Sequence, residues 1–137
     1  MIACERHLMN RLIAALICLA SPAAAQDLSL RLNALTPQQS ACRVVFVLQS
    51  GIGIDGLEAE IILFDRTGRV VDFTALDFRD LPQDRPRVRS FDLPGLDCND
   101  LGALLVNGIA RCEGPGIDAC QRALVTGSDV AGVELRG

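Results

Sequence analysis

Glu58 and Glu60 stand two residues apart in the run Leu57–Phe64, so an extended backbone puts both carboxylates on one face. Paired carboxylates are the minimum for hydrolysis by general acid and base, provided they face a cleft about 5–9 Å apart and one pKa is raised. The alternative is a solvated strand face opposite Leu57, Ala59 and Ile61, and the sequence favours it. Asp97, Asn99 and Asp100 bring several oxygen ligands into four residues, which calcium accepts if carbonyls and a further carboxylate complete the shell. No EF-hand pattern surrounds them, so an Asx-rich turn beside Cys98 is the expectation, as it is for Asp65 and Asp72 at a hairpin. Arg85, Arg87 and Arg89 recur at every second residue, and three guanidiniums in one strip can hold phosphate, carboxylate or an acidic partner. Such a strip more often faces aspartates on a neighbouring strand or guards a sheet edge.

The composition removes most other chemistry. The sequence has no Lys, Tyr or Trp, and its single His (His7) and both Met (Met1, Met9) precede residue 26. Without an imidazole or a lysine beyond that point there is no Ser-His-Asp or Cys-His nucleophile, no Schiff base, and no His/Met site for copper or haem. No cofactor and no catalytic residue are therefore expected. The net charge of −4, with no aromatics interleaved among basic residues, argues against nucleic acid as a partner.

Arg6, His7 and Arg11 precede an apolar run from Leu12 to Ala20, and Ser21-Pro22-Ala23-Ala24-Ala25 ends in a small-x-small pattern. This predicts a secretory signal peptide over 1–25, with Met9 an alternative start. The apolar run is too short for a membrane span, which needs about 20 residues. Separated arginines favour the general secretory route, and Ile17 before Cys18 disfavours a lipoprotein signal. The expected product, residues 26–137, is one domain in the periplasm or secreted, with no stable membrane insertion.

That segment carries Cys42, Cys98, Cys112 and Cys120, an even set for an oxidising compartment. Three pairings are open. Gly114-Pro115-Gly116 lets Cys112 and Cys120 close a short loop, which favours Cys112–Cys120 and Cys42–Cys98. Gaps of this length lack the C-x-x-C spacing that zinc sites and thiol oxidoreductases use, so no metal is expected.

The elements that would position these residues read mainly as strands. Leu28, Leu30 and Leu32 alternate with polar residues until Thr36-Pro37, and Cys42–Leu48 is a β-branched and aromatic run closed by Ser50-Gly51-Ile52-Gly53. Leu57–Phe64 and Arg69–Thr74 flank Asp65-Arg66-Thr67-Gly68, a hairpin signal. Residues 77–86 read as irregular. Arg87–Leu93 reads as a strand with a bulge near Ser90, where Val88 and Phe91 fall out of phase. Residues 101–112 fit strand or helix, and Gly102 and Gly108 tip the reading to strand. Asp118 caps a short helix through Leu124, and Val130–Leu135 is a last strand. About six or seven short strands with one long-range bridge predict a small immunoglobulin-like antiparallel β-sandwich, with an open barrel as the alternative.

Phe46-Val47-Leu48-Gln49, Leu63-Phe64-Asp65 with Gly68, Phe91-Asp92-Leu93-Pro94-Gly95-Leu96 before Cys98, and Asn107-Gly108 with Cys112-Glu113-Gly114 and Cys120 carry a resemblance. Over nearly all of 26–137 the chain resembles a functionally uncharacterised family of small exported alphaproteobacterial proteins. The resemblance implies export and this fold, and brings no activity. Exclusion of catalytic groups leaves, as the expected function, a non-catalytic module binding another protein or an envelope component through a sheet edge or the loops at one end. A small carboxylate-dependent hydrolase and a calcium or small-anion binder are the alternatives.

Overall fold

The computed structural model describes residues 27–137, so the expected signal peptide over 1–25 lies outside the described residues. Eight strands and one short helix follow in the order β1 (Leu28–Gln38), β2 (Ala41–Ser50), β3 (Ile54–Asp65), β4 (Val70–Leu81), β5 (Arg87–Pro94), β6 (Leu101–Glu113), α1 (Ile117–Ala123), β7 (Leu124–Ser128) and β8 (Glu134–Arg136). They form two sheets, β5-β2-β1-β7 and β4-β3-β6-β8, packed face to face as an immunoglobulin-like sandwich. The sheets are not wholly antiparallel. β7 runs parallel to β1 and β8 parallel to β6, because the chain crosses by α1 before β7 and turns back over 129–133 before β8.

Period-2 alternation sets the core. Leu28, Leu30 and Leu32 of β1, Val44, Phe46 and Leu48 of β2, and Leu57, Ala59, Ile61 and Leu63 of β3 all point between the sheets and are buried. Phe46, Phe78 and Phe91 meet edge to face, with centroids 5.3–6.1 Å apart, and fill the space between β2, β4 and β5. Cys42 is bonded to Cys98 and Cys112 to Cys120. The first bridge ties β2 to the 3-10 turn that opens β6, so it pins one sheet to the other. The second holds α1 against the end of β6.

Five local expectations change. β1 does not stop at Thr36-Pro37: Pro37 pairs with Cys42 and the hairpin closes on Gln39-Ser40, with Ser40 at φ 60°. β7 pairs with β1 only as far as Leu32, so Pro37 sits on an unpaired margin where a missing N–H breaks no ladder. Residues 77–81 are not irregular but complete β4, their alternation disturbed by register shifts and by Arg79 at φ 61°. β5 has no bulge at Ser90; its register with β2 is continuous, and Val88 simply faces outward. Gly116, not Asp118, caps α1, which ends at Ala123, and Leu124–Ser128 is strand. The last strand is confined to Glu134–Arg136.

The β3–β4 turn is built around one carboxylate. Asp65 accepts hydrogen bonds from the Thr67 hydroxyl (2.7 Å), the Thr67 N–H (2.9 Å) and the Arg69 N–H (3.0 Å). These bonds, the Thr67 hydroxyl first and the Arg69 N–H next, hold its carboxyl below the usual carboxylate range. A lowered native pKa stabilises the fold above the unfolded-state pKa and loses that contribution as pH falls through the native one. Asp65→Ala is therefore expected to lower the melting temperature at pH 7, with the difference from wild type shrinking on acidification below about pH 4. Thermal melts across that range check the trend.

Candidate functional site

The outer face of the β4-β3-β6-β8 sheet divides into two halves. Register places Glu58 between Asp77 and Arg111, and Glu60 between Ala75 and Gly108. Arg111 contacts Glu113 at 2.8 Å, Asp77 at 3.3 Å and Glu58 at 4.0 Å, and these acids, Glu113 first, raise its pKa. Asn107 donates to Glu60 at 3.3 Å. The two glutamates thus lie on a flat sheet surface, each with its own neighbour, and do not converge on a cleft.

The other half is apolar. Ile62 stands between Phe73 and Leu105, and Phe64 pairs with Val70 beyond the bulge at Val71. Val70, Phe73 and Val71 are 61%, 55% and 49% exposed. Ile62, Phe64 and Leu105 are half-buried beside them. Six apolar side chains across three strands make a contiguous exposed patch next to a charged one, the arrangement that marks interaction surfaces on soluble domains. The candidate list from the sequence did not include it, although Val70-Val71 and Phe73 after a turn were legible as apolar residues on both faces of a strand.

Arg85, Arg87 and Arg89 do not form one free strip. Arg85 lies in the loop between β4 and β5, where its N–H donates to the Pro82 carbonyl. Arg87 and Arg89 share the inward side of β5. The Arg89 side chain, 13% exposed, crosses to the other sheet and donates to the Phe78 carbonyl at 2.7 Å and the Asp80 carbonyl at 3.0 Å. It therefore latches the margin where β5 of one sheet passes β4 of the other, and satisfies β4 carbonyls that no strand reaches among the described residues. Arg89→Met keeps the stem and removes these bonds. It is expected to cost about 1–3 kcal/mol and to increase aggregation, read by urea midpoint and light scattering.

Asp97, Asn99 and Asp100 form a turn rather than an ion shell. Asp97 accepts from the Asn99 N–H at 2.9 Å and caps the 3-10 turn, and its carbonyl accepts from the Asp100 N–H. An open groove of about 480 Å³ runs between this turn, the β1–β2 loop and Cys98, at the end of the sandwich that also carries the Asp65 turn and the 129–133 loop. Among the described residues, no three His, Cys, Asp or Glu side chains are grouped to hold a metal, and no helix is long and apolar enough to cross a membrane.

No family model matches the chain, and no curated protein matches it. Among solved structures, the fold is similar to that of IrmA from Escherichia coli. That match has a TM-score of 0.57 at 10% identity and covers 74% of this chain and 91% of that one. A likeness at this identity is one of architecture: a small β-sandwich, here closed by two disulfides that fit an oxidising compartment.

Proposed function

We propose that the chain is an exported, non-catalytic module that binds another protein or an envelope component in the periplasm or outside the cell, through the apolar half of its β4-β3-β6 face. The observation that carries this reading is the exposure of Val70, Val71 and Phe73 on one strand at the margin of the sandwich, continuous with Ile62, Phe64 and Leu105. The inward apolar residues of β1, β2 and β3 are buried between the sheets, whereas these six cluster uncovered on the outer face, at a free-energy cost that an interface recovers. The charged half around Arg111 supplies a polar rim, and Phe73 supplies the aromatic anchor typical of such surfaces.

The test is capture from an envelope extract by the oxidised chain and by a Val70→Glu/Phe73→Glu variant. Both sites are exposed, so the fold should tolerate the change. A partner held by wild type and lost by the variant supports the reading, and equal retention contradicts it.

A further inference from the structure

The outer face of β3 changes character once along its length. Glu58, Glu60, Ile62 and Phe64 alternate with the buried Leu57, Ala59, Ile61 and Leu63, so a row of carboxylates runs directly into the apolar patch. The flanking strands repeat the change in register: Asp77 and Ala75 precede Phe73 on one side, and Glu113, Arg111 and Asn107 adjoin Leu105 on the other. Four carboxylates, Glu58, Glu60, Asp77 and Glu113, thus share the single guanidinium of Arg111, which lies 2.8 Å from Glu113 but 4.0 Å from Glu58. That guanidinium lies over Gly56, where a Cβ would collide with it, so the cation is held down on the sheet while Asp77 and Glu113 stay more than half exposed. Glu60 accepts from the neutral Asn107, and among the described residues Arg79 makes no ion pair with these acids. At the opposite margin of the patch Glu134 and Arg136 pair with each other at 2.7 Å and cancel. The excess of negative charge therefore lies at one end of the apolar patch.

We propose that the occupant of this face is a polypeptide whose apolar side chains adjoin a cluster of arginines or lysines. Its apolar end covers Ile62, Phe73 and Leu105, and its basic end lies over Glu58, Glu60, Asp77 and Glu113. This names the partner's chemistry for the binding function proposed above and rests on that reading. Charge complementarity carries the assignment. A neutral or acidic partner seated on the apolar patch would strip water from carboxylates that one arginine cannot match, whereas a basic partner compensates them and is drawn in by the same field. The spacing is short enough for both contacts to act together: Glu58 and Ile62 are four extended residues apart, about 13 Å, close to the Debye length of about 10 Å at 0.1 M salt. The same excess of acid repels an anionic lipid surface, so a basic polypeptide is favoured over a membrane.

The probes are two labelled synthetic peptides with the same apolar half, one ending in three arginines and the other in three aspartates, and vesicles of phosphatidylglycerol. Fluorescence anisotropy with the oxidised chain should show the arginine peptide bound about tenfold tighter than the aspartate peptide at low salt, with the preference fading at about 0.5 M salt. Glu58→Lys/Glu60→Lys should reverse the preference, and Glu58→Gln/Glu60→Gln, which keeps the side-chain shapes, should reduce it. Val70→Ser/Phe73→Ser leaves every charge in place and should release the arginine peptide, which separates docking on the patch from attraction by charge alone. Two peptides that bind wild type equally and are both lost from the serine variant overturn the charge assignment and leave the binding face standing. Preference for the aspartate peptide, arginine-peptide binding undiminished in the serine variant, binding of neither peptide, or capture of the vesicles in their place would overturn the proposal.

Discussion

Phe46→Ala is expected to remove about 3–5 kcal/mol of stability, enough to take a domain of this size close to its unfolding threshold at room temperature. Phe46 is fully buried and touches both other rings of the cluster, with Phe78 at 5.3 Å and Phe91 at 6.1 Å. The loss combines transfer of a large side chain with a cavity that β2, β4 and β5 cannot close. β2 is fixed between two neighbours, and β4 and β5 are latched to each other by Arg89. Phe73→Ala is the matched control. The same side chain, more than half exposed on the outer face, should change stability by less than about 1 kcal/mol. A urea titration of the two variants beside wild type measures both values, and similar losses would mean that the core is not where the Phe46 contacts put it.

Removing the Cys42–Cys98 bridge with a double alanine variant is expected to cost about 4 kcal/mol, and removing Cys112–Cys120 about 2.5 kcal/mol. The ordering follows from loop length: the residues are 56 apart in the first bridge and 8 in the second, so the first constrains far more of the unfolded chain. Position reinforces the order. All four cysteines are buried, but Cys42 and Cys98 join the two sheets, whereas the second bridge fastens only α1 to the end of β6. Denaturant midpoints under non-reducing conditions give both numbers, and a larger loss from the short loop would contradict the account.

The sandwich was legible where alternation is uninterrupted. Leu28, Leu30 and Leu32, and Val44, Phe46 and Leu48, are period-2 in sequence and inward in space. β6 was ambiguous for a physical reason that the register exposes. Its buried residues Leu101, Leu104, Val106, Ile109 and Cys112 drift between period 2 and period 3 because shifts against β3 fall near Gly102, Asn107 and Ala110. Each extra residue mimics helical spacing. Gly102 fits its shift closely: a Cβ there would collide with the Asp65 carbonyl. β7 was hidden because a helix that stops at Ala123 and a strand that starts at Leu124 leave no punctuating residue between them, although Leu124-Val125-Thr126 carried a β-branched signal.

The site was less legible than the fold, since a charge strip and a carboxylate pair are visible in one dimension while a patch spread over three strands is not. Arg89 looked available because its contacts, the carbonyls of Phe78 and Asp80, are backbone atoms on another sheet with no sequence signature. Ile62, Phe73 and Leu105 become neighbours only through the β4-β3-β6 register.

The central claim is that this apolar face is where the protein meets its partner. The most direct test places a photo-reactive phenylalanine analogue at Phe73 in the living cell, with the same group at Val88 as control, an equally exposed apolar residue on the outer face of the other sheet. The account predicts a covalent adduct to a different polypeptide from position 73 and none from position 88. No such adduct at 73, or the same adduct from both positions, would contradict it.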